Sequence, residues 1–143
     1  MNPLTALGVI AALLVVAAVV GAVLARRGGR VRRLQPTQAV DPADFGAHEF
    51  GAGGTIIQFS TAYCTRCPSV RRLISQTVES RPGLDFIHVD VTDRPELASR
   101  YRLTQTPTVL ILDGSGTPRG RLAGTFSRAT LSDGIESTIG SAA

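Results

Sequence analysis

Between Leu4 and Ala25 the sequence carries no charged residue. The run contains only Ala, Val, Leu, Ile, Gly and one Thr, and it is 22 residues long. As a helix rising about 1.5 Å per residue it spans roughly 33 Å, enough for a hydrocarbon core of about 30 Å. A secretory signal would instead have a positive leading region and an apolar stretch of about 7–15 residues. Here no Lys or Arg precedes the run, and the run is longer than that. Small residues near the end of the run, Ala22 and Ala25, keep cleavage open. Length and flanks favour an uncleaved, single-pass membrane helix over residues 4–25.

Charge sets the expected orientation. The net charge is +4, and with no Lys in the chain every positive charge is an Arg. Arg26, Arg27, Arg30, Arg32 and Arg33 follow the apolar run directly. By the positive-inside rule the following domain is expected in the cytoplasm at the cell membrane, with an extracytoplasmic domain as the alternative. Residues 51–143 are close to balanced, with ten Arg against eight Asp or Glu, a difference of +2. The sequence pI of about 10.0 thus reflects the basic segment after the helix. It describes a membrane flank, and nucleic-acid binding is not expected.

The expected organisation is therefore a membrane helix (4–25), a basic juxtamembrane linker (26–50) and a soluble domain (51–143). Gln35-Pro36-Thr37-Gln38 and Asp41-Pro42 mark the linker, and Asp44–Phe50 could form one helical turn that packs its two Phe on the domain. Beyond Gly54, Thr55–Phe59 reads as a strand. From about Cys64 to Ser80, Val70, Leu73, Ile74 and Val78 recur at helical spacing. Arg81-Pro82-Gly83 ends that helix, and Leu84–Val91 reads as a second strand. A short helix over roughly 95–102 would start at Pro95, with Asp93 as a possible cap. Thr108–Leu112 is apolar enough for a strand buried on both faces. Asp113-Gly114-Ser115-Gly116 is a turn leading to a strand near Pro118–Leu122, and a last helix from about Ser127 to Ile139 has Ser127 as N-cap. The first two strands, joined through a helix, should be parallel, and the last two antiparallel. The expected fold class is α/β: a mixed four-stranded sheet flanked by helices.

The chain has two cysteines, Cys64 and Cys67. A disulfide scaffold uses more cysteines at wider spacing, and a zinc site wants four ligands where the only other candidates are His48 and His88. The pair lies between a strand and a helix. Unpaired N–H groups and partial positive charge at a helix start stabilise a thiolate. Arg66, between the cysteines, adds a cation. Cys64, nearer the helix end, is expected to attack, and Cys67, one turn on, to resolve the mixed disulfide.

Phe59-Ser60-Thr61-Ala62-Tyr63-Cys64-Thr65-Arg66-Cys67 after a strand, with Thr106-Pro107-Thr108 before another, resembles the thioredoxin family over roughly residues 54–140. The resemblance implies a thioredoxin-like fold, a cis Pro107 facing the cysteines, and a Thr106 backbone that pairs with an extended substrate segment. It implies dithiol–disulfide exchange, with protein thiols or disulfides and a thiol electron donor as partners. The sequence carries no signal for haem, nucleotide or flavin, and no cofactor or metal is expected. Several residues depart from the family. Tyr63 replaces the usual Trp, and Thr-Arg replaces Gly-Pro between the cysteines. Gln58 stands where the family has a buried Asp, and His88 where it has a Lys. Gln58 cannot take a proton near neutral pH and His88 can, so His88 is read either as a general base or as a buried or edge histidine with a structural role.

Three function classes follow. The first is a membrane-tethered thiol–disulfide oxidoreductase acting on protein cysteines, a reductase if the domain is cytosolic, with oxidase the open alternative. The second is a redox-inactive peptide-binding module, for which two intact cysteines would be of little use. The third is a metal carrier using both thiolates, which one Met in the whole chain makes unattractive.

Overall fold

The apolar run forms α1 (Pro3–Arg27). Its Pro3–Leu24 stretch has a mean hydropathy of 3.0, and none of it is buried by the rest of the chain. It is long and apolar enough to cross a membrane, and a signal sequence near an N-terminus meets the same description. This computed structural model describes residues 2–27, 29–33, 39–46 and 48–140. The Gln35–Gln38 part of the expected linker and Ala47 of the expected helical piece lie outside the described residues.

The remaining elements are β1 (Arg32–Arg33), a 3-10 turn (Pro42–Phe45), β2 (Gly54–Ser60), α2 (Cys67–Glu79), β3 (Leu84–Asp90), α3 (Pro95–Arg100), β4 (Thr108–Leu112), β5 (Pro118–Ala123) and α4 (Arg128–Thr138). The strands make one mixed sheet in the order β1-β5-β4-β2-β3. β2 pairs parallel with β3 and antiparallel with β4, and β4 pairs antiparallel with β5. This is a thioredoxin-like architecture with five strands where four were expected. The extra strand comes from the basic segment. Arg32 pairs with Arg121 and Arg33 with Gly120. An Arg-Arg pair has no apolar alternation to announce a strand.

Alternation along β2 and β4 sorts the core into two layers. Ile57, Phe59, Leu110 and Leu112 face Leu97 of α3 and, from the 3-10 turn, Phe45. Ile56, Val109 and Ile111 face Val70 and Ile74 of α2 and Leu131 and Ile135 of α4. Every residue of β2, an interior strand between β4 and β3, is buried. Phe45 and Phe50 both pack on the first layer, and the Phe45 ring lies 6.2 Å from that of Phe59.

Two helix starts differ from expectation. α2 begins at Cys67, three residues later than the periodicity suggests. Pro68 is the reason. A helix begun at Cys64 would need the Pro68 N–H to bond the Cys64 carbonyl, and Pro has none. In the first turn of α2 that missing donor costs nothing. The first bond of the helix instead runs from Val70 N–H to the Arg66 carbonyl at 3.3 Å. The cap of α3 is Arg94, with no side-chain bond, and not Asp93. Ser127 caps α4, its hydroxyl accepting from the Thr130 N–H at 3.1 Å.

Candidate active site

β2 carries the chain out of the core and releases it at Ser60. A turn closed by Cys64 N–H to the Thr61 carbonyl, at 3.2 Å, then leads into α2. Cys64 and Cys67 are joined in a disulfide, with Cα atoms 5.5 Å apart. Cys67 is the first helical residue and is 4 % exposed, while Cys64 in the turn before it is half-buried. The two sulfurs thus differ in access. Both lie at the positive end of α2, whose first N–H groups have no partner within the helix. Arg66 is exposed between them. Among the described residues its guanidinium makes no ion pair.

Beneath the pair lies Gln58, fully buried. Its Nε2 donates to the Cys67 carbonyl at 3.0 Å, and its Oε1 is buried with no partner among the described residues. Across the parallel register Gln58 faces His88. His88 Nε2 lies 2.6 Å from the Ser60 hydroxyl. Burial first, and then the Arg71 guanidinium, lower the His88 pKa below its ordinary 6.5, while Asp90 pulls the other way. Near neutral pH the ring is neutral. A groove of about 730 Å³ runs beside the disulfide, bordered by Cys64, Cys67, Arg71, His88 and Asp90.

The Thr106–Pro107 peptide bond is cis. The Thr106 hydroxyl lies 3.5 Å from that of Thr61, three residues before Cys64. Pro107 is buried, and its carbonyl accepts from Gly124 N–H at 2.9 Å. Two contacts close the turn on the other side. Ala62 N–H donates to the Thr92 hydroxyl at 2.8 Å, and that hydroxyl donates to Asp90.

The structure thus gathers Cys64, Cys67, Arg66, His88, Thr106 and Pro107 at one end of the sheet. Sequence reasoning missed Ser60, Arg71, Asp90 and Thr92. The signal for Ser60 and Asp90 was present: aligning Gly54–Ser60 with Leu84–Asp90 as parallel partners puts Ser60 beside Asp90 and Gln58 beside His88. Among the described residues no group of three or more His, Cys, Asp or Glu is placed to hold a metal ion.

The sequence model of the family described as Thioredoxin matches residues 43–137. Thioredoxin H5 of Oryza sativa subsp. japonica is 32 % identical over 57 residues, 40 % of this chain and 42 % of that protein. The chloroplastic thioredoxin M3 of the same plant is 29 % identical over 86 residues, 59 % of this chain and 48 % of its own length. The chain spans about half the length of the curated relatives it matches. Among solved structures, oxidised mitochondrial thioredoxin 3 from Saccharomyces cerevisiae superposes with a TM-score of 0.56 at 20 % identity. That superposition covers 66 % of this chain and 87 % of the yeast chain, and at such identity it speaks for the fold alone.

Proposed function

Because this chain belongs to the thioredoxin family, we propose that its Cys64–Cys67 pair is the working centre of a membrane-tethered protein-disulfide reductase. The observation that carries this reading is the disulfide itself, formed at the start of α2 with Cys64 the more accessible partner.

In the reduced chain the Cys64 thiolate attacks one sulfur of a partner disulfide. A new S–S bond forms, the partner's S–S bond breaks, and the partner's other sulfur leaves as a thiolate that takes a proton. Cys67 then attacks the Cys64 sulfur. The partner's second sulfur leaves and is protonated, and the chain's own disulfide remains. The partner has gained two electrons and two protons. A dithiol donor returns both by the reverse exchange. His88 is the proposed acceptor of the Cys67 proton, because it lines the same groove and is neutral near pH 7. Arg66 lowers the cost of the Cys64 thiolate, and the Thr106 backbone, next to cis Pro107, is the proposed pairing edge for the substrate segment.

The five arginines after the apolar run support a cytoplasmic domain on an uncleaved helix, where the reducing compartment favours reductase over oxidase. The test is disulfide reduction by the full chain with insulin as substrate and dithiothreitol as donor. Cys64→Ser should abolish turnover. Cys67→Ser should accumulate a mixed disulfide on Cys64, visible on a non-reducing gel. Full turnover by Cys64→Ser would refute the assignment.

A further inference from the structure

The path from the apolar helix into the sheet determines which end of the domain stands next to the anchor. β2 and β3 run toward the disulfide, β4 runs away from it, and β5 returns, so Ala123 lies beside Thr108. β1 is antiparallel to β5 and therefore runs away again. The residues just ahead of β1 must then lie at the disulfide end, and their contacts agree. A Cβ on Gly29 would stand 3.2 Å from the Thr125 carbonyl oxygen and 3.5 Å from Phe126 Cβ. Thr125 follows Gly124, whose N–H is bonded to the carbonyl of Pro107. A shallow hollow is lined by Arg26, Arg30 and Val31 on one side and, along α4, by Thr130, Asp133 and Ser137 on the other.

This junction is short and docked. Val31 seats over α4 and β5, where a Cβ on Gly134 would come within 2.6 Å of Val31 Cγ2 and one on Gly120 within 3.2 Å of its Cγ1. From Gly29 back to Arg27, the end of α1, there are two peptide steps, at most about 7.6 Å. Sideways, three strand spacings of about 4.8 Å separate β1 from β2, the strand that leads to Cys64. The opposite end of the sheet is farther from the anchor by the length of β2, seven residues or about 23 Å.

We propose that the disulfide end of this domain faces the membrane, and that its substrate is a disulfide of a membrane-anchored protein lying within a few residues of the lipid surface. This rests on the reading of α1 as an uncleaved anchor and of Cys64–Cys67 as the redox pair. A freely diffusing partner would gain nothing from a tether that holds the pair at the bilayer. A disulfide already fixed in that layer meets it at high effective concentration.

The chain contains no Trp, which makes the orientation directly readable. The full chain is reconstituted in phosphatidylcholine vesicles with a single Trp, either Tyr63→Trp beside the cysteines or Pro82→Trp at the far end. Tyr63 is 87 % exposed and Pro82 is exposed. Headgroup-spin-labelled lipid should quench Trp at 63 and leave Trp at 82 nearly unquenched. In parallel, the unsubstituted chain is given membrane-spanning peptides whose disulfide loop lies about 4 or about 25 residues from the apolar segment. The near loop should be reduced roughly 10-fold faster at equal surface density. Equal quenching with equal rates, or a preference for the far loop, overturns the inference. Vesicle flotation and insulin reduction are measured on the same samples. A chain that does not float overturns the anchor reading and this inference with it. One that floats but does not reduce insulin overturns the redox reading. One that does both and shows no preference overturns this inference alone.

Discussion

With the cysteines joined as a disulfide, His88 is the side chain bordering the groove whose ordinary pKa lies nearest neutral pH. Its pKa is held below 6.5 mainly by burial, with help from Arg71. The folded chain therefore binds a proton here less readily than the unfolded chain does. Stability from the neutral ring is complete above about pH 6.5 and is lost as pH falls through the depressed folded value. His88→Gln should remove that loss. Urea midpoints of the full chain in detergent, read at pH 7.5 and 5.5, should fall for the parent and change less for the variant. Equal drops in both would mean that the ring is not coupled to folding. At this scale the two cysteines were legible from spacing and setting. The Ser60–His88 contact was not, because it spans two strands and only the register of β2 against β3 brings it about. Gln58 was visible as a departure from the family. Its buried, unpartnered Oε1 and its bond to the Cys67 carbonyl depend on the starting point of α2.

The elements with apolar periodicity were read within a few residues, and the misses share a cause. Helical spacing in α2 begins before the helix does, since Pro68 decides where backbone bonding starts. β1 escaped entirely, because two exposed arginines become a strand only when Val31 docks on the sheet. Gly134 is the other half of that contact. In an exposed helix interior, Gly→Ala stabilises by about 1 kcal/mol. Here the added Cβ would lie 2.6 Å from Val31 Cγ2 and 3.4 Å from Ile111 Cδ1. Val is stiff at χ1, so the strain cannot be relieved by rotation alone. Gly134→Ala should therefore destabilise the domain, by roughly 1–3 kcal/mol, and adding Val31→Ala should recover part of it. Urea unfolding of the two single variants and the double variant checks this. A more stable Gly134→Ala protein would show that Val31 does not occupy this seat.

At the scale of the whole molecule, the docked segment links the apolar helix to the disulfide end of the sheet. Were residues 29–33 undocked, the domain could turn its disulfide in any direction, and the apolar helix would do no more than localise it. Docked through Gly29, Val31 and β1, the same residues hold one end of the sheet toward the helix. Inserting twenty Gly-Ser residues between Arg27 and Gly28 leaves that docking intact and lengthens only the tether. A flexible chain of that length has an end-to-end distance of about 25 Å, comparable with the domain itself. The effective concentration of the pair at the lipid surface should fall accordingly. Rates on the near-surface peptide disulfide should drop several-fold, and those on soluble insulin should stay unchanged. Since α2, β2 and the 106–107 peptide are untouched, equal losses on both substrates would place the effect in folding. An unchanged near-surface rate would mean that contacts with the partner, and not the short junction, bring the two disulfides together.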